Sequence, residues 1–306
     1  MQTNTYRKRG LRITHVWFVS AADKLPDIKT DLFYVHDAPG DTVEMFPGLI
    51  RPQMTLVSNL EVTEEEITKN FTKKCRQIIR QSEKDGILTS VFSSDNLLQN
   101  HQLLMEFGRS HERMYQQKGM KSMFNYDMVE KYIDAGMLTV TVAAHGGRNL
   151  AFHSYVVSDQ CARGLYSVST FRNEDFDQSI MAKANTYLHY KDILHFKQMG
   201  IKIYDWGGIQ SYDNPSGIDL FKMKFGGEKR VNYNIIVGRS LLGKTLVNLL
   251  KLRDMITSGC SGMAKSQGRT INLLAVVPAG LESDGILVYL PAMMEKVGHL
   301  TGEFML

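Results

Sequence analysis

Ile201-Lys-Ile-Tyr-Asp-Trp-Gly-Gly-Ile209, followed after a polar loop by Gly217-Ile-Asp-Leu-Phe-Lys-Met-Lys-Phe-Gly-Gly227, is the stretch around which the chain is organised. Its first six residues alternate and are β-branched and aromatic, which is the pattern of a strand. Gly207 and Gly208 end that strand with backbone able to turn sharply or to approach a ligand closely. Residues 210–216 are rich in Ser, Asp, Asn and Pro and read as a turn. A short helical piece carrying Leu220, Phe221, Lys222 and Phe225 then stops at Gly226-Gly227. An acid at a strand end, Asp205, and a base in the next helical turn, Lys222, thus stand one loop apart. Asp205 suits a general base or a holder of a substrate amine or hydroxyl. Lys222 suits the stabilisation of an oxyanion during carbonyl attack. The same two residues fit a turn-capping aspartate and a solvated lysine, and both readings stand at this level.

Composition bounds the rest. The 306 residues are 43% hydrophobic and 22% charged, ordinary for a globular chain with a substantial core. With 36 basic and 32 acidic residues the formal charge is +4, too mild by itself to imply DNA or RNA. Cys75, Cys161 and Cys260 are odd in number, widely spaced and outside any C-x-x-C, so neither a disulfide framework nor a zinc site is expected. The polar, basic Met1–Arg12 segment lacks the apolar core of a secretory signal. No window approaches the roughly 18 apolar residues of a spanning helix. The expected location is the cytoplasm, extending to peripheral association with the inner membrane face.

Along the chain, strands are expected at Arg12–Val19, Leu32–Val35 and Met54–Val57, separated by loops containing Pro39-Gly40, Pro47-Gly48 and Pro52. Thr63-Glu-Glu-Glu66 is a capping box opening a helix that runs to Gly86. At 100° per residue, Ile67, Phe71, Cys75 and Ile78 fall within roughly 80° of one another, and Lys69, Lys73, Arg76 and Arg80 within roughly 60° on the opposite side. A charged outer face is common to amphipathic helices. A purely cationic one also fits phosphate or RNA.

From Ile87 the elements become regular. A strand to Phe92, a helix over Asp95–Lys118 and a helix over Asn125–Ala135 precede strands at Met137–Ala144, Leu150–Val157 and Leu165–Thr170. A long helix over Asp175–Met199 leads into the opening stretch, and Val231–Val237 is a further strand before a helix over Leu241–Thr257. Antiparallel hairpins followed by a β-α-β crossover predict a mixed α/β sheet with helices on both faces. Beyond Ser258, strands at Leu273–Val277 and Ile286–Leu290 and a helix over Ala292–Leu300 are expected.

Several familiar chemistries are disfavoured. Gly238-Arg-Ser-Leu-Leu-Gly-Lys-Thr245 matches a phosphate loop in spacing, but too little chain follows it for the parallel sheet such a loop serves. His189 and His195 are six apart on one helix and face different ways, so no zinc pair arises. No G-x-S-x-G elbow is present, and no cysteine has an activating context.

Ala184-Asn-Thr-Tyr-Leu-His-Tyr190, Gly200 with Tyr204-Asp-Trp-Gly-Gly-Ile209, and Gly217 through Phe221-Lys-Met-Lys-Phe-Gly-Gly-Glu228 resemble the FemAB/FemX group of the GNAT superfamily. So does Phe71-Thr-Lys-Lys-Cys-Arg-Gln-Ile-Ile-Arg80, and the F-K-x-x-F-G pattern is the most specific part of a likeness spanning Met54 to Lys251. The resemblance implies a GNAT-like acyltransferase fold with an abbreviated N-terminal half. Its divisions are 1–86 with the basic helix, 87–257 as the acyltransferase domain, and 258–306 as an extension without counterpart. It implies a transferase that uses aminoacyl-tRNA and requires no metal or resident cofactor. Lys222 would stabilise the transferring carbonyl, Asp205 would orient the acceptor or act as base, and Gly207 and Gly208 would shape the adjacent wall. Tyr204, Trp206, Phe221 and Phe225 would line the substrate site, and Lys69, Lys73, Arg76 and Arg80 would meet phosphates. The implied acceptor is a phosphate-bearing sugar or lipid-linked cell-envelope precursor.

Acyl-CoA is the second donor. The turn that would hold its pyrophosphate, Phe171-Arg-Asn-Glu-Asp-Phe-Asp-Gln178, has no glycine and three acids, which repel an anion at a helix N-terminus. Two other activities stay open: an acyl-CoA-dependent N-acyltransferase of surface polysaccharide biosynthesis, and a non-catalytic RNA- or phosphate-binding module on the same scaffold.

Overall fold

The computed structural model describes residues 1–122, 124–169 and 178–263. The strands and helix expected at 273–277, 286–290 and 292–300 lie outside them, as does the 171–177 turn. The strands are β1 (Gln2–Lys8), β2 (Leu11–Trp17), β3 (Leu32–Ala38), β4 (Leu49–Asn59), β5 (Leu88–Ser93), β6 (Leu138–His145), β7 (Arg148–Val157), β8 (Cys161–Ser169), β9 (Ile203–Gly208) and β10 (Glu228–Gly238). The helices are α1 (Glu64–Lys69), α2 (Lys73–Lys84), α3 (Ser94–Gln99), α4 (His101–Gln117), α5 (Tyr126–Asp134), α6 (Gln178–Gln198), α7 (Gly217–Met223) and α8 (Leu241–Met263).

All ten strands form one mixed sheet in the order β1-β2-β3-β10-β4-β9-β8-β7-β6-β5. Among the described strands only β2/β3 and β8/β9 are parallel. The second pair is the crossover through α6 that the sequence predicts. The order repeats about the antiparallel β10/β4 pair, with β3 beside β10 on one flank and β9 beside β4 on the other. On each flank the outer strand carries an extra residue, a β-bulge. Tyr233 and Ile235 oppose Ala38 and Val35, and Thr55 and Val57 oppose Gly208 and Asp205. A bulge needs one residue in an unusual backbone conformation. Gly207 supplies it in β9 at φ 71°, and Asp37 supplies it in β3 at φ 48°.

Two apolar layers sandwich the sheet. Phe107, Tyr132 and Leu250, from α4, α5 and α8, bury against one face with Phe152 and Val168. Phe71, Cys75, Leu188 and Phe196, from the segment before α2, α2 and α6, bury against the other with Tyr204 and Trp206. The sheet is strongly curled. Arg163 on β8 reaches Asp37 on β3 although β10, β4 and β9 intervene. Four interstrand spacings of about 4.8 Å would separate them by about 19 Å on a flat sheet, farther than an arginine extends.

Three sequence expectations need correction. The capping box at Thr63 and Glu66 forms as expected, but the helix it opens ends at Asn70. Thr72 then caps a second helix, its hydroxyl accepting from the Cys75 N–H, so Lys69 and Lys73 lie on different helices. The long helix expected over 95–118 is also two, because Asn100 closes α3 and its side chain caps α4. β1 was absent from the expectation because QTNTYRK shows no apolar alternation, and it is an edge strand paired only to β2.

The phosphate-loop pattern has a packing explanation. Ser240 Oγ accepts from the Gly243 N–H at 3.1 Å and donates to Asp31 Oδ1 at 2.7 Å, so a carboxylate already occupies the start of α8. A Cβ on Gly243 would lie 1.9 Å from the Asp31 carbonyl oxygen, so the glycine admits a neighbouring backbone.

Candidate active site

β8 and β9 are in parallel register over only three pairs, ending at Arg163 opposite Asp205. The candidate site forms where they part. α7 follows β9 there, its start fixed by a Ser216/Asp219 capping box. Lys222, in the last turn of α7, donates from Nζ to the Gly208 carbonyl at 2.7 Å. Burial lowers its pKa to about 8, helped by the positive charge of Arg163 and opposed by Asp205 and Asp219. Lys222 and Asp205, one loop apart in sequence, therefore share one electrostatic neighbourhood.

Asp205 is buried and its Oδ1 is engaged. The Thr55 hydroxyl lies 2.5 Å from it, and the Gly207 N–H donates to it at 2.8 Å. Burial raises its carboxyl pKa, the Asp37 charge raises it further, and Arg163, Thr55 and Gly207 oppose the shift. The hydrogen bond to Gly207 closes the β9 bulge, so Asp205 holds the shape of the strand end. A Cβ on Gly207 would lie 2.8 Å from the Gly164 carbonyl, and one on Gly208 would meet Gln53 Nε2 at 2.5 Å, so both glycines form close-packed wall.

The aromatic residues expected to line the site divide. Tyr204, Trp206 and Phe225 are core side chains at 1%, 4% and 1% exposure. The Trp206 ring packs 4.6 Å from Phe225, and Trp206 Nε1 donates to Ser58 Oγ at 3.0 Å. They brace α7 from behind. Phe221 is partly buried against the same cluster.

The break between α1 and α2 has a consequence for the cationic stripe. The Thr72 N–H donates to the Lys224 carbonyl at 2.8 Å, and Gly226 packs against Asn70, where a Cβ would meet its backbone oxygen at 2.9 Å. The start of α2 therefore abuts the F-K-x-x-F-G segment. Lys69, Lys73 and Arg80 are exposed. Arg76 is not free in the same way, because its Nη1 donates to the Lys69 carbonyl at 3.2 Å and to that of Phe71, capping the end of α1.

Three residues of the site escape the sequence reading. Thr55 is one. Arg163 is the second: buried, it donates from Nη1 to the Gly164 carbonyl at 2.8 Å and places Cζ 5.4 Å from the Trp17 ring centroid. An arginine set between Ala162, Gly164 and Leu165 just ahead of the expected strand is a signal that could have found it. Asp37 is the third. Its Oδ2 lies 2.8 Å from Arg163 Nε, so the two side chains, 11% and 6% exposed, form an ion pair.

Arg163 also lines a cavity of about 320 Å³ on the concave side of the sheet, walled by Tyr6, His15, Trp17, His36, Tyr132 and neighbouring groups. Burial lowers the His15 pKa to about 3 and that of His36 well below 6.5, so both imidazoles are neutral near pH 7. Their Nδ1 and Nε2 atoms lie 2.6 Å apart. On the opposite face His153, His189 and Asp192 cluster closely enough to present one ligand atom each to a metal. Both His153 nitrogens are already engaged, by Asp192 at 2.7 Å and Asn185 at 2.8 Å, and the two rings stack at 3.8 Å. Stacked rings do not aim their lone pairs at one point, so these groups form a hydrogen-bonded network linking α6, Tyr155 and Tyr204.

No family model matches the chain, and no curated protein matches its sequence. Among solved structures it superposes on FemX with a TM-score of 0.54, at 12% identity over 81% of this chain and 87% of that one. The chain has the FemX fold. L-PGS from Bacillus licheniformis gives a TM-score of 0.43 at 15% identity, covering 71% of each chain. A GCN5-related N-acetyltransferase-like protein from Streptococcus suis gives 0.35 at 12% identity, over 78% of this chain and 83% of that one. The FemX likeness bears on the fold, a mixed α/β sheet, and within it the lysine of F-K-x-x-F-G stands at the fork of β8 and β9.

Proposed function

We propose that the chain is a FemAB-like transferase that moves an acyl or aminoacyl group onto an amine or hydroxyl of a cell-envelope precursor. The observation that carries this reading is the setting of Lys222. Its ammonium is anchored on the Gly208 carbonyl at the fork of two parallel strands, beside a buried carboxylate and a buried guanidinium. The acceptor attacks the donor carbonyl directly. The new C–N or C–O bond forms as the carbonyl electrons move onto oxygen, where Lys222 stabilises the negative charge. The C–O or C–S bond to the leaving group then breaks as the carbonyl re-forms, and the proton of the attacking N–H or O–H leaves with the departing alkoxide or thiolate. Asp205 orients the acceptor by holding the β9 bulge closed.

Aminoacyl-tRNA is the favoured donor. Lys69, Lys73 and Arg80 are exposed cations, the first two flanking the α1/α2 break that abuts α7, and are suited to a phosphate backbone. The implied place of work is the cytoplasm or inner membrane face, and no described helix is long and apolar enough to cross a membrane.

The test is a turnover screen of wild type and Lys222→Ala with aminoacyl-tRNA and acyl-CoA donors against envelope precursors. Transfer by the wild type and its loss in the folded variant is the expected result. Turnover with acyl-CoA alone would replace the donor. Tight RNA binding without any turnover would mark a non-catalytic module.

A further inference from the structure

The outer face of α8 is apolar where an amphipathic helix is usually polar. Leu246, Val247 and Leu250 are buried and hold the helix to the sheet. At 100° per residue, Leu241, Leu252 and Met255 fall within about 60° of one another on the opposite side. They are 85%, 54% and 71% exposed. Single exposed leucines are ordinary, but three such residues on one arc form a patch. Lys244 and Lys251 lie directly beside Met255 on the same arc and are exposed. The only acid of α8, Asp254, is turned away from them and pairs with Arg51 at 2.9 Å. A groove of about 740 Å³ runs alongside, lined by Arg239, Lys244 and Lys251. Its one acid, Asp27, is 3.3 Å from Arg239, and no acid among the described residues pairs with either lysine.

We propose that this face of α8 docks the protein on an anionic lipid surface. Leu241, Leu252 and Met255 enter the boundary between headgroups and acyl chains, and Lys244 and Lys251 meet lipid phosphates beside them. The 23-residue helix is not apolar enough to cross a bilayer, so it lies in the plane of the surface. Charge complementarity selects this partner. A second copy seated on the same face would bring two rows of lysine together with no acid on the arc to meet them. The surface is separate from Lys222 and does not rest on the transfer reading.

The experiment sediments the full chain with vesicles of phosphatidylcholine alone and of two parts phosphatidylcholine to one of phosphatidylglycerol. Wild type should bind the anionic vesicles and be released by salt. Lys244→Gln with Lys251→Gln should weaken that binding about 30-fold, about fivefold for each cation. Leu241→Ser with Leu252→Ser should weaken it about tenfold or more. Removing two cations elsewhere, by Lys73→Gln with Arg80→Gln, should change it less than about threefold. All four α8 side chains are exposed, so unfolding midpoints should stay within about 3 °C of wild type. No binding to anionic vesicles, equal binding to neutral ones, or equal loss in the Lys73/Arg80 variant overturns the proposal. Self-association abolished by Leu241→Ser, without vesicle binding, also overturns it and gives the face to a second copy. Binding is read without turnover, so the transfer reading stands or falls separately.

Discussion

Asp37 Oδ2 lies 2.8 Å from Arg163 Nε, although the two residues stand on strands with three others between them. The contact exists because the sheet curls until its β2/β3 flank faces its β8/β9 flank. It joins a bulge on one flank to the strand fork on the other, and it brings the ring-walled cavity to within one side chain of Asp205. A residue near the start of the chain is thus held next to the strand fork.

Lys222 gives the most direct prediction. Lys222→Ala should lower kcat/KM by about 100- to 1,000-fold, as removal of one oxyanion-stabilising group typically does. With a pKa near 8, the lysine is cationic below that value. The wild-type rate should therefore fall as pH rises through about 8. In Lys222→Arg, whose side chain stays protonated, that limb should disappear. The sign for stability is opposite. The folded pKa of about 8 lies below the ordinary 10.5, so the contribution to stability is full above 10.5 and is lost as pH falls through 8. Matched pH–rate and unfolding profiles check both.

Gly207→Ala should destabilise the fold by about 1–2 kcal/mol from its left-handed backbone alone, at φ 71°. The methyl would add a clash, 2.8 Å from the Gly164 carbonyl. Since the Gly207 N–H holds Asp205, transfer should fall more than stability does. Denaturant melts alongside initial rates would separate the two losses.

The cavity histidines predict acid sensitivity. Burial, with Lys8 adding repulsion, lowers the folded pKa of His15 from 6.5 to about 3. The stability from keeping it neutral is full above 6.5 and is lost as pH falls from 6.5 towards 3. Urea midpoints at pH 7.5 and 5 should differ more in wild type than in His15→Gln. Equal differences would show that protonation of His15 does not set the acid limb.

The cationic stripe should behave as two classes. Arg76→Ala should cost roughly 1 kcal/mol of stability, because it removes a cap on the carbonyls of α1. Lys73→Ala and Arg80→Ala should leave stability nearly unchanged. Each should instead reduce the salt dependence of tRNA binding by about one unit of slope. Filter binding across a salt series reads this, and identical slopes in all variants would remove the stripe from the donor site.

Much of the fold is legible locally. Period-2 alternation places β2 and β9, and the Thr63 cap marks a helix start, because strand patterning and capping depend on residues a few positions apart. Helix ends were less legible. Asn70 and Asn100 break their helices through tertiary contacts and a competing cap, which hydrophobic period alone does not show. β1 is polar and draws its stability from β2, so it left no periodic trace.

The sequence by itself determined the late β9–α7 unit, the separation of Asp205 and Lys222 by one loop, and the mixed sheet with its crossover, since each is written in neighbouring side chains. Only the tertiary structure decided what surrounds that unit. The insertion of β10 between β3 and β4, the curl of the sheet and the burial of Arg163 depend on pairing between strands up to about 200 residues apart. Those pairings turn Asp205 into the brace of a bulge, move Arg76 out of the cationic face, and bring Asp37 to Arg163. Strand order and curvature arise from burying both faces of a ten-stranded sheet at once, a condition on the whole chain that no local pattern records.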